Sequence, residues 1–231
     1  MSPDQKHRYK LYYANSRGRA EPIRLVFHFL GVDFEDYRME MGDFNDAMKA
    51  KAPMRQVPFI EIDGGKTTLC QTVSICRYLA KSVQPDKWFG GATKTDSAKV
   101  DMMADGFADI YQLAMFGKYG PEDIRVKSAH LAETHCFLFQ DSLQHMYKEM
   151  IGPKLKIMED ILKKSKGDYF VGKSIHWCDV YILGILQALD EYDDGVLDDL
   201  PELRAFYLRM RHLPELKEYI DANWPATKYK E

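Results

Sequence analysis

The chain has 231 residues, 45% of them hydrophobic, which is enough to bury a sizeable core and to form two modest domains. Its formal net charge of -3 gives no electrostatic case for nucleic-acid binding, so small ligands are the favoured partners. The polar, basic N-terminus and the lack of a long apolar run predict neither a signal peptide nor a membrane span. The four cysteines form no CxxC pair, which is typical of buried free thiols in the reducing cytoplasm. They are Cys70, Cys76, Cys136 and Cys178.

The first predicted elements are a strand, a basic glycine turn and a helix. Tyr9 to Tyr13 is rich in aromatic residues that alternate along the chain, which predicts a strand. Gly18 permits a turn that other residues resist, and Pro22 suits the first turn of a helix. Arg17 and Arg19 fall between the two elements. A tyrosine hydroxyl near two arginines and a helix N-terminus could hold an anion.

The following elements complete an α/β domain. Gly31 is expected to end the first helix, and Phe34 to Met39 predicts a second strand. Asp43 is expected to cap a short polar helix that Pro53 stops.

Residues 57 to 70 then predict a hairpin with Asp63-Gly64-Gly65 at its turn, and a helix follows with Thr72 as its expected N-cap. This order of elements predicts a compact domain with a mixed sheet.

The rest of the chain predicts an all-helical second domain. From Lys94 onward the strand signal fades and apolar residues recur at helical spacing, in stripes that include Val100 to Tyr111, Phe137 to Met146 and Leu203 to Met210. The expected divisions are an extension at 1–8, an α/β domain at 9–84, a linker at 85–93 and a helical domain at 94–231.

Two clusters of residues that could bind a metal ion do not have the spacing of a known metal-binding motif. His130, Glu133 and His135 do not follow the HExxH pattern, so a solvated helix is the favoured interpretation. Residues 190–195 have aspartates and a glycine near the positions of a calcium loop, but Pro201 takes the place of the closing glutamate. The sequence therefore predicts no metal site.

Three motifs occur in a fixed order: the tyrosine strand followed by Arg-Gly-Arg-Ala-Glu-Pro-Ile-Arg at 17–24, then Val57-Pro58, then Gln71-Thr72 before a helix. With the helical second domain, this combination resembles the glutathione S-transferases, and among them the sigma class. The resemblance implies a thioredoxin-like N-terminal domain followed by a helical-bundle C-terminal domain. It also implies a cytoplasmic homodimer that conjugates glutathione, its co-substrate, to hydrophobic electrophiles in detoxification.

The resemblance leaves other functions open. The sigma class includes prostaglandin isomerases, which use the same thiolate. A rival from another class is a non-enzymatic relative that acts as a ligand carrier or as a crystallin-like structural protein.

The resemblance implies that Tyr13 is the catalytic tyrosine and that Arg19 supports it. Glutathione reacts as a thiolate, yet a free thiol with a pKa of about 8.5 is only a few per cent ionised at neutral pH. A protonated tyrosine hydroxyl that donates to the sulfur stabilises the anion. Lowering the thiol pKa by roughly two units requires about 2.7 kcal/mol of preferential thiolate stabilisation. Tyr9 and Tyr12 are the competing candidates and are expected to be packing or surface residues.

The same resemblance implies how the rest of glutathione is bound. Gln71 and Thr72 would hold the γ-glutamyl carboxylate at a helix N-terminus. Val57, before a cis Pro58, would pair its backbone with the cysteinyl unit. Asp109 of a partner subunit would bind the γ-glutamyl amine. The full predicted glutathione-binding set is Tyr13, Lys49, Gln56, Val57, Pro58, Gln71, Thr72 and Asp109.

Two positions depart from the family pattern. Phe44 stands where a tryptophan commonly donates to the glycyl carboxylate, and a phenylalanine ring cannot donate. Lys49 is expected to make that contact, although Met48 takes its place in an alternative alignment. Ala14 stands where a phenylalanine is common, which would widen the pocket for the second substrate. The expected lining of that pocket is Ala14, Tyr111 and Phe116.

Overall fold

The computed structural model describes residues 6–40, 42–83, 89–119, 147–165 and 168–230. Several predictions fall outside these ranges, namely the helical stripe at Phe137 to Met146, the cluster of His130, Glu133 and His135, and Cys136. Parts of the predicted extension at 1–8 and linker at 85–93 also lie outside the described residues.

The N-terminal domain is built on a four-stranded mixed sheet with the strand order β2-β1-β3-β4. Strand β1 is parallel to β2 and antiparallel to β3, and β3 and β4 form the predicted hairpin. The strands are β1 Tyr9–Ala14, β2 Phe34–Met39, β3 Phe59–Ile62 and β4 Thr67–Cys70. The helices are α1 Glu21–Leu30, α2 Asp46–Lys51 and α3 Thr72–Ser82, and a 3-10 turn at Gly18–Ala20 precedes α1. This arrangement confirms the predicted thioredoxin-like domain.

Helix α1 makes the crossover between the parallel strands β1 and β2, as parallel pairing requires. Pro22 lies in its first turn, where a missing N–H breaks no helical hydrogen bond. Gly31 ends the helix in the left-handed conformation at φ +64°, and its N–H bonds back to the last turn. Both residues occupy the positions that the sequence predicts for them.

Two predicted helix caps are wrong. Asn45, rather than Asp43, caps α2, since its side chain accepts from the Met48 N–H at 3.1 Å. Asp43 instead accepts from the Glu40 N–H in the preceding turn, at 2.8 Å. Thr72 is the first residue of α3, Gln71 occupies the N-cap position, and the Thr72 hydroxyl donates to the Arg19 carbonyl.

The described part of the C-terminal domain contains helices joined by turns and loops and has no strand, as predicted. Its helices are α4 Lys94–Tyr119, α5 Gly152–Ser165, α6 Trp177–Tyr192, α7 Pro201–Arg211 and α8 Pro214–Asn223. One turn of π-helix at Tyr147–Ile151 leads into α5. Within the described ranges, no helix combines the length and the apolar composition that crossing a membrane requires.

Helix α6 forms the centre of the C-terminal domain and packs against α1 of the N-terminal domain. A Cβ at Gly184 would lie 3.0 Å from Pro22 Cγ, so a larger residue there would require Pro22 or the two helices to shift by a few tenths of an ångström. At the start of α6, Asp179 is fully buried and accepts from the backbone N–H groups of His176 and Phe170. Burial raises the pKa of this carboxyl to about 7. The packing of α6 on α1 fixes the turn that precedes α1.

Candidate active site

The hydroxyl of Tyr13 lies against the turn between β1 and α1. The backbone N–H of Arg19 donates to the Tyr13 oxygen at 3.1 Å. A phenol oxygen that accepts a hydrogen bond still has its own proton to donate. Tyr13 also lines a cavity of about 820 Å³ bounded by this turn, α4 and the end of α6. A ligand in the cavity can therefore receive a hydrogen bond from Tyr13.

Gly18 allows the turn to approach Tyr13 closely. Its φ is +42°, in the left-handed region that favours glycine. A Cβ at this position would lie 2.6 Å from the Tyr13 hydroxyl oxygen and 3.0 Å from Tyr13 Cε1. A larger residue would displace the hydroxyl, the ring or the turn.

A buried arginine holds the same turn from its other side. The Arg24 side chain is fully buried and donates to the Ser16 carbonyl at 2.9 Å. It also pairs with Glu21 at 3.1 Å and with Asp36 at 2.9 Å. Paired carboxylates compensate the cost of burying this cation. The turn is thereby fixed to α1 and to strand β2.

Glu21 connects this cluster to the C-terminal end of the chain. Its Oε1 accepts from the Trp224 indole N–H and from the Tyr219 hydroxyl. Sequence reasoning missed this cluster. The available signal was an acid and a base three residues apart on the buried face of α1, a spacing that brings two side chains together.

The two competing tyrosines, Tyr9 and Tyr12, pack against other aromatic side chains. Tyr12 donates its hydroxyl to Glu61 at 2.8 Å and stacks on Phe59, with ring centroids 4.4 Å apart. Tyr9 is buried against Phe27. Burial is the main cause that raises the pKa of both Tyr9 and Tyr12. Of the three candidates, Tyr13 is the one that lines the cavity of about 820 Å³ beside the basic turn, whereas Tyr9 borders a separate cavity of about 810 Å³ whose lining includes neither Arg17 nor Arg19.

The two arginines of the turn have different partners. Arg19 donates through its guanidinium to Gln112 Oε1 at 2.7 Å and lies over the Tyr111 ring, 5.6 Å from its centroid. Arg17 donates to both carboxylate oxygens of Glu191, at 2.7 and 3.0 Å. Arg17 is therefore part of a bidentate ion pair between the domains rather than an isolated surface charge.

A second cavity, of about 510 Å³, brings together most of the predicted glutathione-binding residues. Its lining includes Gln56, Val57, Pro58, Gln71 and Thr72, together with Arg19 and Phe44. The Val57–Pro58 bond is cis, as the resemblance implies. Lys49 lies outside this lining, with its ammonium 5.7 Å from the centroid of the Phe44 ring and 4.0 Å from Asp46.

Asp109 borders a third, smaller cavity of about 250 Å³. Gln71, Thr72, Arg19 and Tyr111 of the same chain also line it. Asp109 is thus already close to the predicted γ-glutamyl site within one chain. The Thr72 hydroxyl donates to the Arg19 carbonyl at 2.9 Å, which connects this region to the Tyr13 turn.

The predicted pocket for the second substrate is only partly as expected. Phe116 lines the large cavity, but Ala14 and Tyr111 are not among its lining residues. Ala14 is exposed at the end of β1, where successive side chains point to opposite faces, so it points away from the face that carries Tyr13. Tyr111 is buried beneath Arg19.

Sequence reasoning missed several residues of this cavity. Gln112, Met115 and Tyr119 line it beside the predicted Phe116, and these residues follow one another at the spacing of a single face of α4. That periodicity was the signal that could have found them. Lys118, three residues after Met115 on α4, also lines the cavity, and Arg38 is brought to it only by the tertiary fold.

Comparison with known proteins identifies the family. Residues 19–82 match the family model for the glutathione S-transferase N-terminal domain, and residues 133–223 match that for its C-terminal domain. The chain is 33% identical to Glutathione S-transferase 1 of Ascaris suum, over 96% of this chain and 98% of that relative. The chain belongs to the glutathione S-transferase family. It is a glutathione transferase, an enzyme with glutathione as its co-substrate.

Other relatives of this transferase differ in class. The chain is 31% identical to Glutathione S-transferase alpha-5 of Rattus norvegicus, over 91% of this chain and 87% of that relative. A solved structure of prostaglandin synthase D from Nilaparvata lugens matches with a TM-score of 0.76 and 26% identity, over 94% of this chain and 98% of the other. These matches confirm the predicted fold of both domains. Among the described residues, no group of three or more His, Cys, Asp and Glu side chains is placed to hold a metal ion.

Proposed function

We propose that this transferase is a sigma-type enzyme that activates glutathione as a thiolate at Tyr13 and directs it at a hydrophobic electrophile between the domains. The observation that carries the proposal is the hydrogen bond from the Arg19 N–H to the Tyr13 oxygen at 3.1 Å, beside the large cavity. This bond orients the hydroxyl and leaves its proton for the sulfur of glutathione.

The chemistry needs only a shift in the thiol pKa. The thiol of bound glutathione loses its proton to water, and the thiolate is stabilised by the Tyr13 hydroxyl and by the positive charge of Arg19. A hydrogen bond to a charged acceptor contributes about 1.5–3 kcal/mol, which is the size that a shift of roughly two units requires. The thiolate then attacks the electrophilic carbon, the new C–S bond forms, and a leaving group such as a halide departs with the electron pair of its bond.

Glutathione would lie across the second and third cavities. The Val57 backbone would pair with the cysteinyl unit, with Gln56 and Pro58 beside it, and Gln71 and Thr72 would bind the γ-glutamyl carboxylate. Because the Thr72 hydroxyl already donates to Arg19, the Thr72 contribution is assigned to the free N–H groups in the first turn of α3.

The two ends of glutathione would meet charged side chains. Asp109 would bind the γ-glutamyl amine, and Lys49, whose ammonium lies near Phe44, would bind the glycyl carboxylate. We further propose a cytoplasmic homodimer with a role in detoxification, in which Asp109 acts in its own chain or reaches the site of the partner. The proposed domain limits are 9–84 and 94–231, after an extension at 1–8 and separated by a linker at 85–93.

Prostaglandin isomerisation is a second candidate for the same site. It is supported by the structural similarity to prostaglandin synthase D of Nilaparvata lugens. The same thiolate would attack an endoperoxide in place of an electrophilic carbon. Measuring product formation from a prostaglandin endoperoxide, with and without glutathione, tests this candidate separately from conjugation.

The test of the main proposal is conjugation of glutathione to 1-chloro-2,4-dinitrobenzene by the native protein and by Tyr13→Phe. We expect Tyr13→Phe to lower kcat/KM by about 100-fold, the effect of losing one donor to a developing anion. Tyr12→Phe is the matched control, since it removes the neighbouring hydroxyl that bonds to Glu61. Equal rates in native protein and Tyr13→Phe would contradict the role of Tyr13. Tight glutathione binding without any turnover would favour a carrier or structural protein.

A further inference from the structure

The cavity beside Tyr13 is positively charged in a protein that is negative overall. Its described lining carries four cations, Arg17, Arg19, Arg38 and Lys118, and one carboxylate, Glu191. The whole chain has a formal net charge of -3. Such a local excess of one sign within a cleft favours ligands of the opposite charge.

Each of the three arginines already donates to a protein group. Arg17 forms its bidentate pair with Glu191, and Arg38 donates to Asp36 at 2.7 Å. Arg19 donates to Gln112 and belongs to the proposed thiolate site. These three side chains therefore contribute a positive field but are not the first choice for a new direct partner.

Lys118 is in a different situation. Its ammonium lies 3.8 Å from the centroid of the Tyr192 ring and 5.5 Å from that of Tyr119. Among the residues that the structure describes, no carboxylate forms an ion pair with it. A cation over an aromatic ring is held in place but keeps N–H donors for another acceptor. Lys118 is thus a fixed ammonium group on the wall of the cavity.

Part of the cavity wall next to Lys118 in sequence is apolar or aromatic. Phe116, Met115 and the Tyr119 side chain, which is 69% exposed, line the same cavity as Lys118. We propose that the second substrate of this transferase is an aryl or similarly apolar electrophile that carries a carboxylate, and that Lys118 binds the carboxylate. This inference rests on the proposed function, in which Tyr13 activates the attacking thiolate in the same cavity.

Two simpler explanations compete with this inference. The cations could serve only the thiolate and carboxylates of glutathione, and Lys118 could serve only the C-terminal end of α4, where a cation is favourable. Neither explanation predicts a preference for an anionic over a neutral second substrate that is lost when Lys118 is replaced. The comparison of such a pair is therefore decisive.

The experiment uses matched ligands and matched variants. Binding of the inert 3,5-dinitrobenzoate and 3,5-dinitrobenzamide is measured by calorimetry in the presence of S-methylglutathione, for the native protein, Lys118→Met and Lys118→Arg. Conjugation of 4-chloro-3,5-dinitrobenzoate and 4-chloro-3,5-dinitrobenzamide is measured in parallel and normalised to the uncatalysed rates. We expect the native protein to prefer the benzoate. Lys118→Met should lower the ratio of benzoate to benzamide affinity about fivefold, because one ion pair in a partly open site contributes about that much. Lys118→Arg keeps the positive charge and should therefore keep most of the benzoate preference.

The binding arm separates this inference from the proposed function. An affinity ratio that is the same in native protein and Lys118→Met overturns the inference, as does a native preference for the benzamide. A benzoate preference that depends on Lys118 supports it even if no electrophile is conjugated, in which case only the proposed function fails. If the benzamide is conjugated but the ratio of benzoate to benzamide affinity is the same in native protein and Lys118→Met, the transferase mechanism is supported and the role of Lys118 is refuted.

Discussion

Replacing Gly18 with alanine places a methyl group directly against the Tyr13 hydroxyl. The added Cβ would lie 2.6 Å from the oxygen, so the hydroxyl must move by about 0.8 Å to reach an ordinary van der Waals distance. The Arg19 N–H to Tyr13 bond, now 3.1 Å, would then be lost or strongly weakened. A misplacement of about 1 Å in a catalytic group can lower the rate about 100-fold. We therefore expect a loss of this order in kcat/KM for 1-chloro-2,4-dinitrobenzene.

The stability change in Gly18→Ala should be much smaller than the change in activity. An alanine at φ +42° costs about 1 kcal/mol, which lowers Tm by about 2–4 °C in a chain of this size. Gly31→Ala is the matched control, because its φ is +64° and no heavy atom lies within 4 Å of the added Cβ. Both variants should lose a few degrees in thermal denaturation, and only Gly18→Ala should lose activity. Near-native activity in Gly18→Ala, or equal losses in both variants, would refute the reasoning.

Two further substitutions test the buried polar groups. Trp224→Phe removes a hydrogen-bond donor to the buried Glu21 carboxylate, so it should lower the free energy of unfolding by about 1–3 kcal/mol. Chemical denaturation measures this loss. An unchanged denaturation midpoint would contradict the role of this hydrogen bond. Asp179→Asn should flatten the dependence of Tm on pH, because burial raises the carboxyl pKa from 3.8 to about 7. The Asp179 carboxyl binds its proton more tightly in the folded protein than in the unfolded chain, so through this group the native protein loses stability as pH rises from about 4 to 7. An asparagine does not titrate, so this loss should be absent in Asp179→Asn. Equal slopes of Tm against pH in the two proteins would show that Asp179 does not titrate in this window.

The sequence correctly predicted secondary-structure elements that depend on residues close together in the chain. Strand β2 begins and ends where its residue types indicate, and Gly31 ends α1 because a left-handed residue is needed there. The cap of α2 was misassigned because Asp43 and Asn45 are both good caps and lie two residues apart. The hydrogen bond that Asn45 forms with Met48 decides between them, and composition alone does not encode it.

The candidate site was predictable only in its motif residues. The motifs give Tyr13, Val57 and Gln71, but they give neither the Arg24 cluster nor the position of Lys118. The Arg24–Asp36 pair and the Lys118–Tyr192 contact join residues of different elements, and many other pairings satisfy the same composition. Ala14 shows the opposite error, because a comparison of residue types cannot tell which face of the strand end a side chain occupies.

One peptide segment joins the two halves of the proposed glutathione site. The N–H of Arg19 donates to the Tyr13 hydroxyl, and the carbonyl of Arg19 accepts from the Thr72 hydroxyl at 2.9 Å. The position of the group that would stabilise the thiolate is therefore mechanically tied to the first turn of α3, where the γ-glutamyl carboxylate would bind. A ligand that orders the α3 N-terminus also restrains Arg19, and through it the direction of the Tyr13 proton. Binding energy from a part of glutathione remote from the sulfur can in this way be used to position the reacting group.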